Sequence, residues 1–149
     1  MAASIREQIL QALAAKLQTV ATAGGAQFFR QPVLGIPREQ SPALTLDVHG
    51  EAIDPRGNSL VDRHLTVRVI AIARNLDVSA GYTQADALIV AAHAAIMADL
   101  NVGGLAQALR EEACDWQEMD ADAAVAMIPA TYVVQYRTRT TDLTTATPA

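Results

Sequence analysis

The chain has 149 residues, 51% of them hydrophobic and 18% charged, which fits one folded domain rather than a disordered segment. Eleven basic against sixteen acidic residues give a net charge of −5 and disfavour nonspecific nucleic-acid binding, while 4% aromatic residues disfavour a base-stacking surface. The single cysteine, Cys114, excludes an internal disulfide. The longest aliphatic stretch, residues 87–98, is too short to cross a bilayer, and the first ten residues lack a secretory signal, so we expect a soluble protein of a reducing cytoplasm.

Charge is distributed unevenly along the chain. Residues 1–74 hold eight basic and six acidic groups, whereas residues 75–149 hold three basic and ten acidic groups. Residues 99–122 alone hold seven acids against one base. This asymmetry suits head-to-tail contacts between unlike surfaces of identical subunits, and it equally suits a solvated acidic face.

The first predicted element is an amphipathic helix. Ser4 and Glu7 have the spacing of a capping box, which satisfies two backbone N–H groups at a helix start. Apolar side chains then recur at every fourth position and define one face: Ile5, Ile9, Leu13 and Leu17, with Val20 closing the stripe. The pattern predicts a helix that ends at Gly24-Gly25.

Three strand segments follow. Residues 26–34 are short and apolar, and Pro32 restricts them to an edge strand or interrupts them. Two further strands, each with one buried face, are predicted from alternating side chains: Leu44, Leu46 and Val48, then Leu65, Val67, Val69 and Ala71. Residues 50–62 between them are polar, so we predict a long loop, and loops of that length are often functional.

A second helix is predicted from a cap at Thr83 to about Leu100. One apolar side suits the sheet and consists of Ala85, Leu88, Ile89, Ala92 and Ile96. A second apolar side consists of Ala87, Val90, Ala94 and Met97. This second side needs cover from elsewhere in the chain or from another subunit, because Asp86 and His93 alone mark a clearly polar stripe.

The remaining chain is predicted to form a hairpin. After Gly103-Gly104 and a short turn or helical segment to Arg110, residues 113–119 predict a strand with Cys114 and Trp116 on one face. An acidic turn at residues 120–122 leads to the hairpin's second strand.

That second strand, residues 124–137, has the strongest pattern in the chain. Its apolar face consists of Ile128, Ala130, Tyr132, Val134 and Tyr136, and Pro129 indicates a bulge or an edge near its start. Residues 138–149 hold six threonines and are predicted to form a tail that is flexible or is ordered by a partner.

This order of elements predicts the fold class. Strands grouped between helices favour an α+β fold, in which two principal helices pack on one face of a mainly antiparallel sheet. We therefore predict a single domain over residues 1–137, followed by the Thr-rich tail of residues 138–149.

No motif in the sequence indicates catalysis. His49, His64 and His93 lack metal-ligand spacing, and neither a phosphate loop nor a dinucleotide fingerprint is present. We therefore expect no enzymatic activity, no cofactor and no metal. A small enzyme that uses acids such as Asp115, Glu118 or Asp120 is the weaker alternative.

Several segments carry a family resemblance. The first helix leads into Gly25-Ala26-Gln27-Phe28-Phe29-Arg30-Gln31-Pro32, and Pro42-Ala43-Leu44-Thr45-Leu46 and Gly50-Glu51 follow. A long strand then precedes an Ala-rich helix near Asp86, and an acidic turn precedes Ala130-Thr131-Tyr132-Val133-Val134-Gln135-Tyr136. In this order and spacing, over about residues 4–137, the chain resembles the tail terminator proteins of long-tailed bacteriophages, the minor tail protein U family.

The resemblance implies a structural virion protein that forms a six-membered ring on the head-proximal end of the tail tube. There it stops polymerisation of the tube and offers the surface on which the head docks. The implied partners are further copies of itself, the major tail tube protein and a head–tail connector or neck protein, with DNA passing through the lumen and no membrane. The implied location is the tail–neck region of the virion, assembled in the bacterial host cytoplasm. Another neck, tail-completion or head–tail joining protein is the alternative.

Three groups of residues are candidate partner-binding residues under this hypothesis. The second apolar side of the second helix offers a subunit contact through Ala87, Val90, Ala94 and Met97. The predicted loop offers Asp54, Arg56 and Asp62 to the tube or to a neighbouring subunit. For four arginines the hypothesis leaves three alternatives open: they line the lumen, they pair with acids of a neighbouring subunit, or they are ordinary surface residues. These arginines are Arg30, Arg68, Arg137 and Arg139.

Overall fold

The computed structural model describes residues 2–31, 41–75, 77–113 and 125–147, and its elements follow the predicted order. These elements are α1 (Ile5–Ala23), β1 (Gln27–Arg30), β2 (Ala43–Arg56), β3 (Leu60–Arg74), α2 (Val78–Met97), β4 (Ala108–Ala113) and β5 (Val125–Arg139). The strands form one sheet in the order β1-β2-β3-β5-β4. The β1–β2 pair is parallel and the other three pairs are antiparallel. The predicted α+β fold class is confirmed.

Both helices pack on the same face of the sheet. Their buried side chains join those of β2, β3 and β5 in one core, whose largest fully buried members are Tyr132, Ile9, Leu13, Leu17, Leu44, Leu46, Leu65 and Ile96. Side chains of a strand alternate between faces, so a second cluster forms on the opposite face, around Ala43, Ile70 and Ile72. No helix within the described ranges is long and apolar enough to span a membrane.

α1 begins and ends as predicted. The Ser4 side chain accepts a hydrogen bond of 3.1 Å from the Glu7 backbone N–H, as an N-cap does. The predicted stripe is buried at Ile5, Ile9, Leu13 and Leu17, while Val20 is half-buried. After the helix ends at Ala23, Gly25 adopts a φ of 67°, which glycine tolerates better than other residues.

Residues 50–62 form a hairpin, so the predicted long loop is wrong. β2 and β3 stay paired from Ala43 and Ile72 to Arg56 and Leu60, and residues 57–59 make the turn. Apolar and polar side chains do not alternate in this part of the sequence because residues 52–59 are all exposed. A strand without a buried face needs no such alternation. An irregularity in the register between Val48 and Gly50 further shifts which side chains face the helices.

We call residues 52–64, which lie between the register partners Ala52 and His64, the arm. Its outer residues, 52–59, are exposed on both sides of the sheet, so the arm projects from the helix-covered core. The end of β5 continues alongside it, because Leu60 pairs with Arg139. The arm is therefore the outer part of a three-stranded extension.

α2 begins before the predicted cap at Thr83. Its N-cap is Asp77, whose carboxylate accepts hydrogen bonds from the backbone N–H groups of Ser79 (3.0 Å) and Ala80 (3.4 Å). Thr83 lies inside the helix, where its hydroxyl donates to the Ser79 carbonyl at 3.1 Å. The sequence pattern did not predict this first turn because Gly81 lies in it, and glycine is a poor helix former.

We expect Asp77→Ala to lower the free energy of unfolding by about 1 kcal/mol, because two backbone donors lose their acceptor. Thr83→Ala is the matched control and is expected to change stability by less, since alanine favours a helix interior. Urea denaturation of both variants measures the difference. A larger loss in Thr83→Ala would place the start of α2 where the sequence pattern put it.

The C-terminal part differs from the predicted hairpin in its first strand. A turn over residues 100–105 leads to β4 at Ala108–Ala113, in place of a turn or helical segment up to Arg110. The predicted strand at residues 113–119 and the acidic turn lie, except for Ala113, outside the described residues. β5 is confirmed, with the predicted face of Ile128, Ala130, Tyr132, Val134 and Tyr136 buried. Pro129 lies where β5 pairs with β3 but not with β4.

The fold continues beyond the predicted end of the domain at Arg137. β5 runs to Arg139, and Thr138 within it is buried. Further along, the Leu143 carbonyl accepts a hydrogen bond of 2.8 Å from the Ile5 N–H, and Thr147 N–H donates to the Arg137 carbonyl at 2.9 Å. These bonds attach the Thr-rich segment to α1 and β5 as far as Thr147.

Candidate assembly surface

α2 exposes the apolar side that the sequence pattern left without a partner. Ala87, Val90 and Ala94 are exposed, and Val90 retains 60% of its accessible surface. Met97, the fourth predicted contact residue, is half-buried and packs against the core. The first three residues form an apolar strip, which we call the α2 ridge.

A groove lies on each side of the ridge. The α1–α2 groove has a volume of about 420 Å³ and is lined by Thr19, Val20, Ala23, Gly24, Gln84, Ala87, Leu88 and Ala91. The α2–sheet groove has a volume of about 290 Å³ and is lined by Ile89, Val90, His93, Glu111, Ile128, Pro129, Ala130 and Tyr132. The ridge and both grooves together form a mainly apolar surface that protrudes at its centre and is concave on each side.

Three polar side chains hold the walls of the α2–sheet groove together. The Tyr132 hydroxyl lies 2.8 Å from His93 Nδ1, and the His93 Nε2 lies 3.9 Å from the Glu111 carboxylate. These contacts connect α2 with β5 and β4. Tyr132 is fully buried, whereas His93 is half-buried and Glu111 is exposed.

Two acidic side chains lie beside the ridge. Residues 77–113, which build α2 and β4, include five acids and one base, Arg110. Among the acids, Asp77, Asp86, Glu111 and Glu112 are exposed. Asp86 directly precedes the ridge residue Ala87, and Glu111 lines the α2–sheet groove. A hydrogen bond from the Gly103 N–H lowers the pKa of Asp99, with a smaller contribution from the Asn101 N–H, so this carboxylate stays ionised near neutral pH. The candidate assembly surface, which consists of the ridge and its two grooves, is therefore mainly apolar, with Asp86 and Glu111 beside it and Lys16 near Asp99.

The polar residues of the predicted loop form an ion-pair cluster on the arm. Asp62 is 1% exposed and accepts hydrogen bonds from Arg137 Nε (2.6 Å), Arg137 Nη2 (3.1 Å) and Arg56 Nε (2.8 Å). Arg56 also lies 3.3 Å from Asp54. The strand register explains this grouping, because Asp54, Asp62 and Arg137 stand side by side on β2, β3 and β5. The structure thus brings together four of the predicted partner-binding residues.

The charges of this cluster are compensated within the chain. Hydrogen bonds from Arg137, and secondarily from Arg56, lower the pKa of Asp62. The Asp62 carboxylate in turn raises the pKa of Arg137. The arrangement explains how the arm is fixed to β5.

We expect Asp62→Asn to lower the free energy of unfolding at pH 7 by about 1.5–3 kcal/mol, the contribution of hydrogen bonds to a charged group. Because the folded-state pKa of Asp62 is lowered, its stabilisation is complete above the unfolded-state pKa of about 3.9 and is lost as pH falls through the folded-state value. Urea denaturation at a series of pH values should show the variant and the parent converging in acid. A difference that stays constant with pH would contradict this role.

The other three predicted arginines are not members of this cluster. Arg30 binds the Glu7 carboxylate through two hydrogen bonds of 2.8 and 2.6 Å, which tie β1 to α1 and lower the pKa of Glu7. Arg68 is half-buried beside its register partner Asp47. Burial raises the pKa of Asp47, and the positive charge of Arg68 partly offsets this increase. Arg139 is exposed at the end of β5. The four arginines therefore do not form one surface.

A second polar cluster, which the sequence analysis missed, lies at the base of the arm. The Tyr136 hydroxyl donates a hydrogen bond to Glu51, whose carboxylate also lies 3.0 Å from Arg6 and 3.8 Å from Arg63. Burial, together with the bond to Glu51, raises the pKa of Tyr136. No local signal marks Glu51, because its partners lie on α1, β3 and β5. The cluster ties four elements together where the arm leaves the core.

The sequence was compared with protein-family models and with curated proteins. No family model matches the chain, and no curated protein sequence matches it significantly. Within the described ranges, no group of three or more histidine, cysteine, aspartate or glutamate side chains is arranged to hold a metal ion. The assembly surface is therefore interpreted from its own geometry and charge.

Proposed function

We propose that this chain is a ring-forming tail terminator, a structural virion protein that caps the head-proximal end of a phage tail tube. The observation that carries the proposal is the exposed α2 ridge with an apolar groove on each side. Apolar side chains that are exposed side by side next to apolar grooves are typical of sites of association, so we expect a partner to cover this surface. The resemblance to the minor tail protein U family supplies the kind of assembly, a six-membered ring.

The charge distribution supports a ring rather than a two-fold dimer. A closed ring requires two unlike and complementary patches on each subunit. The acids Asp86 and Glu111 lie beside the ridge, while residues 1–74 carry eight bases against six acids. A negative patch in one half of the chain can therefore meet a neutral or positive patch in the other half.

Capping then follows from the shape of the ring. One ring face matches the last ring of the tube, and the opposite face lacks the surface that recruits another tube subunit, so growth stops. That opposite face is where the head connector docks, and DNA passes through the lumen without sequence-specific contacts. The proposed role is structural, with no enzymatic step and no cofactor, and it belongs to the tail–neck region of a virion assembled in the bacterial host cytoplasm.

The proposal is tested by polymerising the tail tube protein of the same phage with and without this chain. Negative-stain images should show tubes that carry an extra ring at one end and that no longer grow from that end. Binding to the head connector without capping of tubes would instead support a head–tail joining protein. Binding to neither partner would overturn both assignments.

A further inference from the structure

We propose that the arm of one copy places Ile53 in the α2–sheet groove of a second copy, against Val90. This contact rests on the proposed ring and specifies the two surfaces that join neighbouring subunits. It needs a protruding apolar side chain, a groove that accepts it, compatible charge, and a reason why the two belong to different copies.

Ile53 is the protruding side chain. It is 58% exposed, which among the exposed large hydrophobic residues is second to Val90. It lies on the projecting arm, where all residues from 52 to 59 are exposed. Removing such a side chain from water favours association.

The α2–sheet groove has a suitable size and lining. Its volume of about 290 Å³ accommodates one branched aliphatic side chain with adjoining backbone. Ile89, Val90, Ile128 and Pro129 give it apolar walls. An isoleucine entering the groove would also cover Val90, so one contact would bury the two most exposed large hydrophobic residues.

Charge favours an arm over a second ridge as the occupant. Glu111 lines the groove and Asp86 is exposed on α2 one turn before Val90, so pairing two ridges about a two-fold axis would bring these acids together. The arm holds Asp54 and Asp62 against Arg56 and Arg63 and is therefore neutral. Arg139, which pairs with Leu60 at the end of the arm, adds a positive charge beside it.

The arm cannot fill the groove of its own chain. Ile53 pairs with Arg63, whereas the groove residue Pro129 pairs with Ile70 of the same strand. Seven residues of β3 separate these two points, which is about 23 Å along a strand. Each copy therefore offers one protruding residue and one groove to different neighbours, as a head-to-tail ring requires.

The test uses two variants, Ile53→Asp and Val90→Asp, studied alone and mixed by native mass spectrometry. Each alone should weaken assembly by at least about tenfold, as expected for a central contact residue. An equimolar mixture should give a one-to-one heterodimer, because the Val90→Asp copy keeps a working arm and the Ile53→Asp copy keeps a working groove. Leu143→Asp, at another exposed apolar residue, is the matched control and should assemble like the parent.

The other outcomes of this experiment distinguish a failure of the arm contact from a failure of the ring. If Ile53→Asp assembles like the parent, the arm contact is overturned while the ring stands. If Val90→Asp alone blocks assembly and the mixture gives no heterodimer, ridges pair with ridges, which also overturns the contact. A parent chain that is monomeric at every concentration would overturn the contact and the ring together.

Discussion

Replacing Ala94 with aspartate will convert the assembled protein into a folded monomer. Ala94 is exposed on the α2 ridge of a single chain, so the substitution should lower the free energy of unfolding by only about 1 kcal/mol, through helix propensity and the charge near the end of α2. In the ring the same carboxylate would be buried against a neighbour without a partner, and such burial costs several kcal/mol. Sedimentation velocity gives the assembly state and thermal unfolding gives the stability.

The matched control for this prediction is Ala15→Asp. Ala15 is also an exposed helical alanine, but it lies on α1 outside the ridge and both grooves. We expect this variant to keep the assembly state of the parent. If Ala94→Asp instead unfolds at a much lower temperature and leaves assembly unchanged, the ridge belongs to the interior of the subunit and not to an interface.

Removing the arm will abolish capping while the helix–sheet core stays folded. The arm is shortened by replacing Ile53–Arg63 with Asn-Gly, a favoured two-residue hairpin turn, between the register partners Ala52 and His64. The deleted residues include the buried Val61, but none of them belongs to the main hydrophobic cluster under the helices. The variant does lose the Asp62 ion pairs and part of the strand pairing, so we expect the thermal midpoint to fall by about 5–10 °C.

Electron microscopy of tubes assembled with the shortened variant measures the effect. We expect uncapped and overlong tubes, as in the absence of the protein. Full-length Ile53→Asp serves as the comparison, since it retains the strand pairing and the Asp62 cluster. Normal tube lengths with the shortened variant would remove the arm from the mechanism and direct attention to Arg139 and the Thr-rich C-terminal segment.

Local periodicity was sufficient to predict most of the core. α1 repeats apolar residues on one face, and the inner parts of β2, β3 and β5 alternate, so burial could be deduced from neighbours in sequence. The same reasoning identified the α2 ridge, because a helix that is apolar on two sides must place one of them against something other than its own sheet.

The features that the sequence concealed depend on contacts between distant residues. The arm lacks alternation because neither of its faces is buried near the tip, and the register irregularity after Val48 changes which residues face the helices. The Asp62–Arg137 pair joins residues 75 positions apart, so no local spacing predicts it. The α2–sheet groove likewise exists only because β5 brings Ile128 and Pro129 next to Val90.

The mass of the purified parent chain in solution tests the central claim most directly. Native mass spectrometry should show one closed species at six times the 15.8 kDa of a single chain, with no ladder of longer assemblies. The species should persist on dilution to low micromolar concentrations and disappear in Ala94→Asp. A monomer at all concentrations, or a two-fold dimer as the largest species, would contradict a ring that caps the tail tube.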